Sequence, residues 1–281
     1  MEKPIRVKTE GRIALITLNR PDSYNSFNKE LLLLLRDTMA TVSSGPEVDG
    51  VVITGSGRAF CAGGDLKWID AQGKEYAPTF YELAGYFHQA VTEIRRMPKP
   101  VIAAVNGLAA GGGMSLALAC DLRVMDMSAV FLQAYTSRGL SIDGGGTFSL
   151  PRLVGLAKAM EIIAFDQPIN PEQALSWGLV TEVTDKGHSV KRAIELIAEI
   201  KKGRAFISFA ASKRLIYESF NTSFDMQLEK EKELLSWCSE EPEGREGIAA
   251  FVEKRIPVFD REKNSSHVRL KSVMNKIDNL S

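Results

Sequence analysis

The sequence has few cysteines, no excess of either charge and no long apolar run. Its three cysteines, Cys61, Cys120 and Cys238, are odd in number and lack the spacing of metal ligands, so we expect reduced thiols and no metal site. Lysine plus arginine equal aspartate plus glutamate at 35 each, which gives no reason to expect nucleic acid or a membrane as a partner. The N-terminal segment lacks the apolar stretch of a secretion signal, and no apolar run could span a membrane. We therefore expect a cytoplasmic protein.

The chain changes character near residue 188. With 281 residues, 44% of them hydrophobic and 25% charged, it is long enough for one large core with an appended helical part. Strand and helix patterns alternate over residues 1–187, long helical periods fill 188–261, and polar residues follow over 262–281. We expect a mixed core domain, a helical region and a polar tail with these bounds.

Hydrophobic periodicity and turn residues predict the individual elements. Residues 5–18 are typical of a hairpin, and Asn28 is a candidate N-cap for a helix over 29–43. Residues 70–80 are polar and irregular, which predicts a mobile loop. Further strands are expected at 51–54, 101–105, 121–125 and 179–183, and further helices at 81–96, 114–120, 153–163, 171–177 and in four segments after residue 188.

The rest of the chain is organised around residues 99–150. The apolar run Val101–Val105 predicts a buried strand, and small residues over 107–113 then lead into an apolar helix, Met114–Cys120. A strand that turns through glycines into a helix presents backbone N–H groups at the positive end of the helix dipole, which suits an oxyanion. A tight packing turn that binds nothing is the alternative.

A second turn of small residues has the same form. The strand-like run Val51–Thr54 leads to Ala62, Gly63 and Gly64, and Asp65 follows directly. Two such units can meet so that one N–H from each binds the same oxygen, and the loss of one such donor typically raises a reaction barrier by a few kcal/mol. The pair of turns predicts an oxyanion hole.

Several motifs, in order over residues 13–259, resemble the crotonase, or enoyl-CoA hydratase/isomerase, superfamily. They are ITLNRPDSYNSFN, FCAGGDLK, KPVIAAVNGLAAGGG, ACD, GGGTFSLPRLVG, EQALSWGLV and EGIAAFVEKR. The resemblance implies an α/β fold with a ββα spiral core and a C-terminal α-helical layer over 188–261, which forms a homotrimer or a dimer of trimers. It is a weaker guide to the reaction, because one fold hosts many chemistries.

The resemblance also assigns reacting groups. It implies that the N–H groups of Gly64 and Gly112 hold the thioester oxygen of an acyl-CoA while an enolate-like species forms. The two glutamates of an enoyl-CoA hydratase match Ser115 and Tyr135 here, so a two-glutamate hydratase is not expected. Asp143 matches an aspartate of the subset that includes certain enoyl-CoA isomerases and the chlorobenzoyl-CoA dehalogenase. The residues alone favour Asp143 as an N-cap of the next helix, whereas the resemblance favours a catalytic role.

Three side chains have alternative roles. Tyr135, which precedes Asp143 by eight residues, either donates a hydrogen bond near the aspartate or lines the pocket. His88 can match a histidine of the dehalogenases, although a lone histidine on a helix is more often solvated or packed. A hydrolytic triad of Ser115, His88 and an aspartate is a further alternative, but GGMSL lacks the second glycine of a nucleophile elbow.

The resemblance further implies that coenzyme A is bound as part of the substrate, without another cofactor. The residues expected to contact it are Ala62, Gly63, Asp65 and Leu66 around the adenine, Lys67 near the phosphates, and Phe251 and Lys254 toward the nucleotide of a neighbouring subunit. A solvated helix face is the alternative for Lys254, although a lysine is a suitable phosphate ligand. Asp22 stands where the family often has a basic residue, so the pose of coenzyme A here could differ.

These observations lead to one functional hypothesis and two rivals. The leading hypothesis is an enoyl-CoA isomerase in which Gly64 and Gly112 stabilise the enolate and Asp143 carries the proton. The first rival uses the same site for hydration, hydrolysis or dehalogenation. The second rival is a non-catalytic acyl-CoA-binding protein, in which Asp143 would bond to helix N–H groups away from the pocket.

Overall fold

The computed structural model describes residues 3–259 of the chain. Of these, the residues up to 95 and from 100 to 195 form one compact unit, and 96–99 with the residues from 196 onward form a second. The structure confirms the expected α/β class, with parallel sheets and many helices. Within residues 3–259, no helix has both the length and the apolar character that crossing a bilayer requires.

The first unit contains the strands and most of the helices. The strands are β1 Ile5–Glu10, β2 Ile13–Leu18, β3 Gly50–Gly55, β4 Ala59–Cys61, β5 Val101–Val105, β6 Leu108–Ala110, β7 Leu122–Asp126, β8 Val130–Leu132 and β9 Glu182–Thr184. The helices are α1 Lys29–Ser44, α2 Leu66–Ala71, α3 Tyr76–Arg96, α4 Gly112–Ala119, α5 Gly146–Phe165, α6 Pro171–Ser176 and the start of α7, Ser189–Lys201.

Two sheets position the site. The larger has the strand order β1-β2-β3-β5-β7-β9, and its pairs are parallel except for the antiparallel β1–β2 hairpin. The smaller has the order β4-β6-β8 and is parallel throughout. Because parallel strands end at the same edge, the segments that follow β4, β6 and β8 emerge side by side.

The hairpin and the helix cap that the sequence predicts are confirmed. β1 pairs with β2 in register from Ile5↔Leu18 to Glu10↔Ile13, and Asn28 Oδ1 accepts the N–H of Leu31 at 2.9 Å at the start of α1. The core of the larger sheet is formed by apolar strands such as β5, whose five residues are all buried.

Three predicted elements are corrected. The expected mobile loop over 70–80 is mostly helical, since α2 extends to Ala71 and α3 begins at Tyr76. Pro78 does not prevent this, because it lies in the first turn of α3, where proline is tolerated. The helix expected over 153–163 begins already at Gly146, and Gly155 interrupts it with a non-helical backbone. The last strand spans only Glu182–Thr184, so the apolar residues Leu179 and Val180 precede it.

The second unit is helical. It contains α8 Phe206–Glu218, α9 Phe224–Glu240 and α10 Pro242–Val252. Ala210 and Ala211 of α8 pack with Leu234 of α9, and a Glu243 carboxylate oxygen accepts the N–H of Ile207 at 3.0 Å. The domain boundary predicted at 187/188 stays a prediction, and the predicted polar tail, 262–281, lies outside the described residues.

Candidate active site

Pairing of β4 with β6 brings the two glycine turns together. Cys61 pairs with Ala109, and the turns over 62–64 and 111–113 follow these strands. A Cβ on Gly63 would lie 2.9 Å from both the backbone N of Gly112 and the carbonyl O of Ala110. The two turns are therefore in backbone contact, which only a residue without a side chain permits at position 63.

The N–H groups of Gly64 and Gly112 are available to an acceptor outside the chain. The chain is held on both sides of Gly64, because Phe27 N–H donates to Gly63 O at 2.7 Å and Asp65 N–H donates to Phe27 O at 2.9 Å. Gly112 is the first residue of α4, where N–H groups have no acceptor within the helix. Within residues 3–259, neither of the two N–H groups has a hydrogen-bond acceptor.

Asp143 lies just before α5, and its carboxylate bonds to a tyrosine instead of capping the helix. The Tyr135 hydroxyl donates a short hydrogen bond to Asp143 Oδ1. The N-cap of α5 is Gly145, which has a left-handed backbone and makes no side-chain capping bond. The interpretation of Asp143 as a helix cap is therefore wrong.

Burial controls the protonation of this pair. Burial raises the pKa of the Asp143 carboxyl above its ordinary value, while the hydrogen bond from Tyr135 acts in the opposite direction. Burial and the neighbouring carboxylate also raise the pKa of Tyr135, so the phenol remains a neutral donor. A carboxyl with a raised pKa exchanges its proton closer to neutral pH than an exposed one, which suits a proton carrier.

His88 contacts the same loop from α3. Its Nε2 accepts the N–H of Gly144 at 3.3 Å, although His88 is an exposed residue. This contact joins His88 to the residue after Asp143, a proximity that the sequence shows only through the family resemblance.

Ser115 and Gln133 are buried without partners for their side chains. Within residues 3–259, Ser115 Oγ and both polar atoms of the Gln133 amide lack a partner at hydrogen-bond distance, although Ser115 is near enough to the Tyr135 hydroxyl to work toward a lower pKa of that phenol. They lie around Gly146, where a Cβ would be 2.8 Å from Ser115 Oγ and 3.7 Å from Gln133 Nε2. A nucleophilic serine needs a base in contact, whereas the bond described for His88 is to the backbone of Gly144. The hydrolytic triad is therefore not assembled.

Replacing Ser115 with alanine is expected to leave the protein folded and active. A buried hydroxyl without a hydrogen bond contributes little, and its removal spares about 1–3 kcal/mol of desolvation cost. We expect the midpoint of thermal unfolding to stay the same or rise, and turnover of an acyl-CoA substrate to change less than about threefold. Calorimetry and steady-state kinetics measure both quantities. Loss of all turnover in a folded variant would restore the nucleophile interpretation.

Aromatic packing connects the glycine turns with the Asp143 loop. A Cβ on Gly112 would lie 3.5 Å from Cε1 of Phe87, and a Cβ on Gly144 would lie 2.2 Å from the same atom. The Phe87 ring is buried and packs 4.9 Å, centroid to centroid, from Phe27. Phe87 thus lies between Gly112 and the loop that carries Asp143.

The residues expected near coenzyme A in the first unit lie at the start of α2. Asp65 caps this helix by accepting the N–H of Trp68 at 3.1 Å, and it forms an ion pair with Arg20 at 2.9 Å. Leu66 and Lys67 follow with exposed side chains. The carboxylate of Asp65 is therefore committed to structure. Arg20 is a contact that sequence reasoning missed, because nothing in the RPD motif indicates a partner 45 residues away.

Ala62 and Gly63 leave only limited contacts for a nucleotide. Ala62 N–H donates to Tyr24 O at 3.0 Å, and Gly63 is buried against the other glycine turn. Asp22 lies exposed in the short 3-10 helix Pro21–Ser23.

In the part of the chain that the structure describes, no three His, Cys, Asp or Glu side chains are grouped as metal ligands.

Phe251 and Lys254 belong to the second unit. Phe251 is near the end of α10 with 85% of its surface exposed, and Lys254 follows the helix with a left-handed backbone, φ 55°. Their expected contact with a nucleotide stays a prediction.

Comparison with known proteins gives consistent matches over most of the chain. The profile of the family described as enoyl-CoA hydratase/isomerase matches residues 8–262. The 1,2-epoxyphenylacetyl-CoA isomerase of Escherichia coli K12 is 34% identical over 89% of this chain and 95% of its own length. A probable enoyl-CoA hydratase of Rhodobacter capsulatus is 38% identical over 91% and 97%. The crystal structure of an enoyl-CoA hydratase from Polaromonas sp. JS666 superposes with a TM-score of 0.86 at 36% identity, covering 91% of this chain and 99% of that one.

Proposed function

Since the chain belongs to the enoyl-CoA hydratase/isomerase family, we propose that it is an acyl-CoA enzyme that moves a double bond from the 3,4 to the 2,3 position. One observation carries the proposal: a single carboxylate of raised pKa, Asp143, is hydrogen-bonded to Tyr135, and the Tyr135 ring lies close to the 111–113 turn, which is in backbone contact with the 62–64 turn. The family resemblance matches Ser115 and Tyr135 to the two hydratase glutamates, and neither residue is a carboxylate.

The reaction follows from these groups. The ionised Asp143 takes a proton from C2 of a 3-enoyl thioester, and the electron pair of that C–H bond moves onto the thioester oxygen. The N–H groups of Gly64 and Gly112 donate to this oxygen and stabilise its negative charge. The pair then returns through the conjugated system, the protonated Asp143 delivers its proton to C4, and the double bond is left between C2 and C3.

Turnover of a 3-enoyl-CoA tests the proposal directly. The purified protein is incubated with 3-hexenoyl-CoA, and the 2-enoyl product is followed by chromatography with mass detection. Formation of an isomer of unchanged mass, with catalytic turnover, supports the proposal. A product that gains one water, or no product at all, contradicts it.

Addition of water at the same site is the second candidate. The frequency of hydratases among the relatives favours it, and a water molecule activated by Asp143 would serve both hydration and hydrolysis. A panel of 2-enoyl, aromatic and halogenated acyl-CoA thioesters separates these reactions by product mass. The non-catalytic alternative is disfavoured because the Asp143 carboxylate bonds to Tyr135, and no side chain caps the helix that follows.

Binding of coenzyme A and assembly complete the proposal. We propose that the small residues at 62–64 and the exposed Leu66 and Lys67 contact the nucleotide of the substrate, and that Phe251 and Lys254 contribute from a neighbouring subunit of a homotrimer or a dimer of trimers. Sedimentation velocity distinguishes a monomer from these assemblies, and competition by free coenzyme A measures the nucleotide contribution.

Replacing Tyr135 with phenylalanine is expected to move the acid limb of the pH profile upward. The Tyr135 hydrogen bond favours the ionised form of Asp143 and so lowers its pKa against the larger effect of burial. Without this bond the carboxyl stays protonated to higher pH, and the base form is lost earlier as the pH falls. The dependence of kcat/KM on pH measures the shift in the free enzyme. A limb that is unchanged or moves downward would show that the bond does not act on Asp143.

A further inference from the structure

Helix α5 ends in a residue that is unusual for its backbone conformation. Asp166 is the C-cap of α5 and has a left-handed backbone, φ 47°. Glycine is the usual residue there, because a Cβ makes this conformation strained. The side chain of Asp166 is half-buried, which suggests that it has a use that offsets the strain.

The carboxylate of Asp166 binds the segment that contains Tyr135. Oδ1 accepts the N–H of Ala134 at 2.5 Å, and Oδ2 accepts the N–H of Ser137 at 3.0 Å. Burial works to raise the pKa of Asp166, but the side chain of Ser137, these two N–H groups and the side chain of Thr136 together outweigh it and hold the pKa below its ordinary value. The carboxylate therefore stays ionised at neutral pH and is a strong acceptor for both N–H groups.

The segment held in this way is itself strained. Ala134 has φ 58°, a left-handed conformation that is unfavourable for alanine. The neighbouring chain is fixed by a two-bond bridge between Phe131 and Ile169, with N–O distances of 3.0 and 2.8 Å. Tyr135 lies between the two N–H groups that Asp166 binds, so the carboxylate determines the direction in which the tyrosine leaves the backbone.

The same helix thus meets both partners of the Tyr135–Asp143 hydrogen bond. Asp143 precedes the first residue of α5 by three positions, and Asp166 directly follows the last. Movement of the Ala134–Ser137 segment would carry the Tyr135 hydroxyl away from the carboxylate. The ring of Tyr135 also lies against the glycine turn over 111–113, with Cε2 3.9 Å from a Cβ placed on Gly111.

We propose that Asp166 is a positioning residue, which holds the strained Ala134–Ser137 segment so that the Tyr135 hydroxyl reaches Asp143. It acts only through Tyr135 and does not touch the substrate. The kinetic consequence rests on the proposed function, but the effect on the Asp143 carboxyl does not.

Replacement of Asp166 with glycine separates positioning from helix termination. Glycine suits the left-handed backbone, so the helix end is preserved while both acceptors are lost. We expect kcat to fall about tenfold with KM changed less than about twofold, and the acid limb of kcat/KM to move upward as in Tyr135→Phe. The double variant should lose no more than Tyr135→Phe alone, because both changes break the same contact. Asp166→Asn, which keeps one acceptor, should lie between wild type and Asp166→Gly.

A neighbouring cap provides the matched control. Asn170 accepts the N–H of Gln173 at 2.8 Å at the start of α6, and Asn170→Ala removes a stabilising cap without touching residues 134–137. We expect this variant to lose stability but to keep the wild-type pH profile. A purely structural role for Asp166 predicts the same behaviour for both variants.

Carboxyl titration by NMR decides the proposal without turnover. The ¹³C signal of Asp143, assigned by its absence in Asp143→Asn, reports its titration in the presence of the facing groups Tyr135 and His88. We expect Asp166→Gly and Tyr135→Phe to shift this titration upward by similar amounts. A wild-type titration in Asp166→Gly, an equal shift in Asn170→Ala, or no shift in Tyr135→Phe would each overturn the proposal. Absence of isomerase activity with the expected titration shifts would instead refute the proposed function alone.

Discussion

Asp143→Asn is expected to lower kcat for isomerisation of a 3-enoyl-CoA by about 10³-fold, because a positioned proton carrier contributes roughly 10²–10⁴. Asparagine has nearly the same shape but cannot accept the C2 proton. The Tyr135 hydroxyl can still donate to the amide oxygen, so the pocket should keep its shape and KM should change little. Steady-state kinetics measure the loss, and exchange of the C2 proton with deuterated solvent measures the first step separately.

The stability of this variant excludes unfolding as the cause. The folded-state pKa of Asp143 is raised, so between the ordinary aspartate pKa of about 4 and the raised value the folded state binds more protons than the unfolded state. Stability therefore falls as the pH rises through that window. Asparagine has no proton to lose, so we expect the free energy of unfolding in urea at pH 7 to be unchanged or higher. A variant that is both inactive and less stable would indicate that the carboxylate has a structural role.

Gly63→Ala is expected to lower kcat by about 10²–10³-fold, the usual effect of losing an oxyanion donor. The new Cβ would lie 2.9 Å from Ala110 O and Gly112 N, so the two turns must separate. Their N–H groups would then no longer bind one oxygen. Titration with a non-reactive acyl-CoA analogue, beside the kinetics, shows whether ground-state binding is retained while catalysis is lost.

Gly11→Ala is the control for backbone strain. Gly11 has φ +60°, near the +81° of Gly63, but nothing lies within 4 Å of a Cβ built on it. Each alanine bears a similar conformational cost, of about 1 kcal/mol. We expect Gly11→Ala to lose this stability and to keep kcat. If both variants lose turnover equally, contact between the turns is not the cause.

The glycine turns are visible in the sequence because a strand-like run followed by consecutive small residues and an apolar run predicts a turn from a strand into a helix. Their contact depends on the pairing of β4 with β6, two strands of three residues each, which are too short for hydrophobic periodicity to detect. The sequence could therefore suggest that the two turns share one anion, and the family resemblance supplied the assignment of Gly64 and Gly112 as the donors.

The side-chain contacts of the site were harder to predict. The bond from Tyr135 to Asp143 joins residues of one loop, but nothing in their spacing fixes the direction of either side chain. The contact of Asp166 with Ala134 was missed because a helix end is normally recognised by glycine, and here aspartate has the glycine conformation. Gln133 gave no signal, since a buried amide without partners cannot be distinguished by sequence from a surface glutamine.

The position of Phe87 limits how far the proposed binding of the thioester oxygen and the proposed proton transfer can be studied separately. Its ring lies between Gly112 and Gly144, and so it spaces the proposed donor to the thioester oxygen from the loop of the proposed proton carrier, Asp143. A smaller residue there would loosen both at once, and a larger one would have no room. Mutant libraries designed to change the acyl-chain preference should therefore leave Phe87 unchanged. A substitution there would alter substrate affinity and turnover rate together, so the two effects could not be told apart.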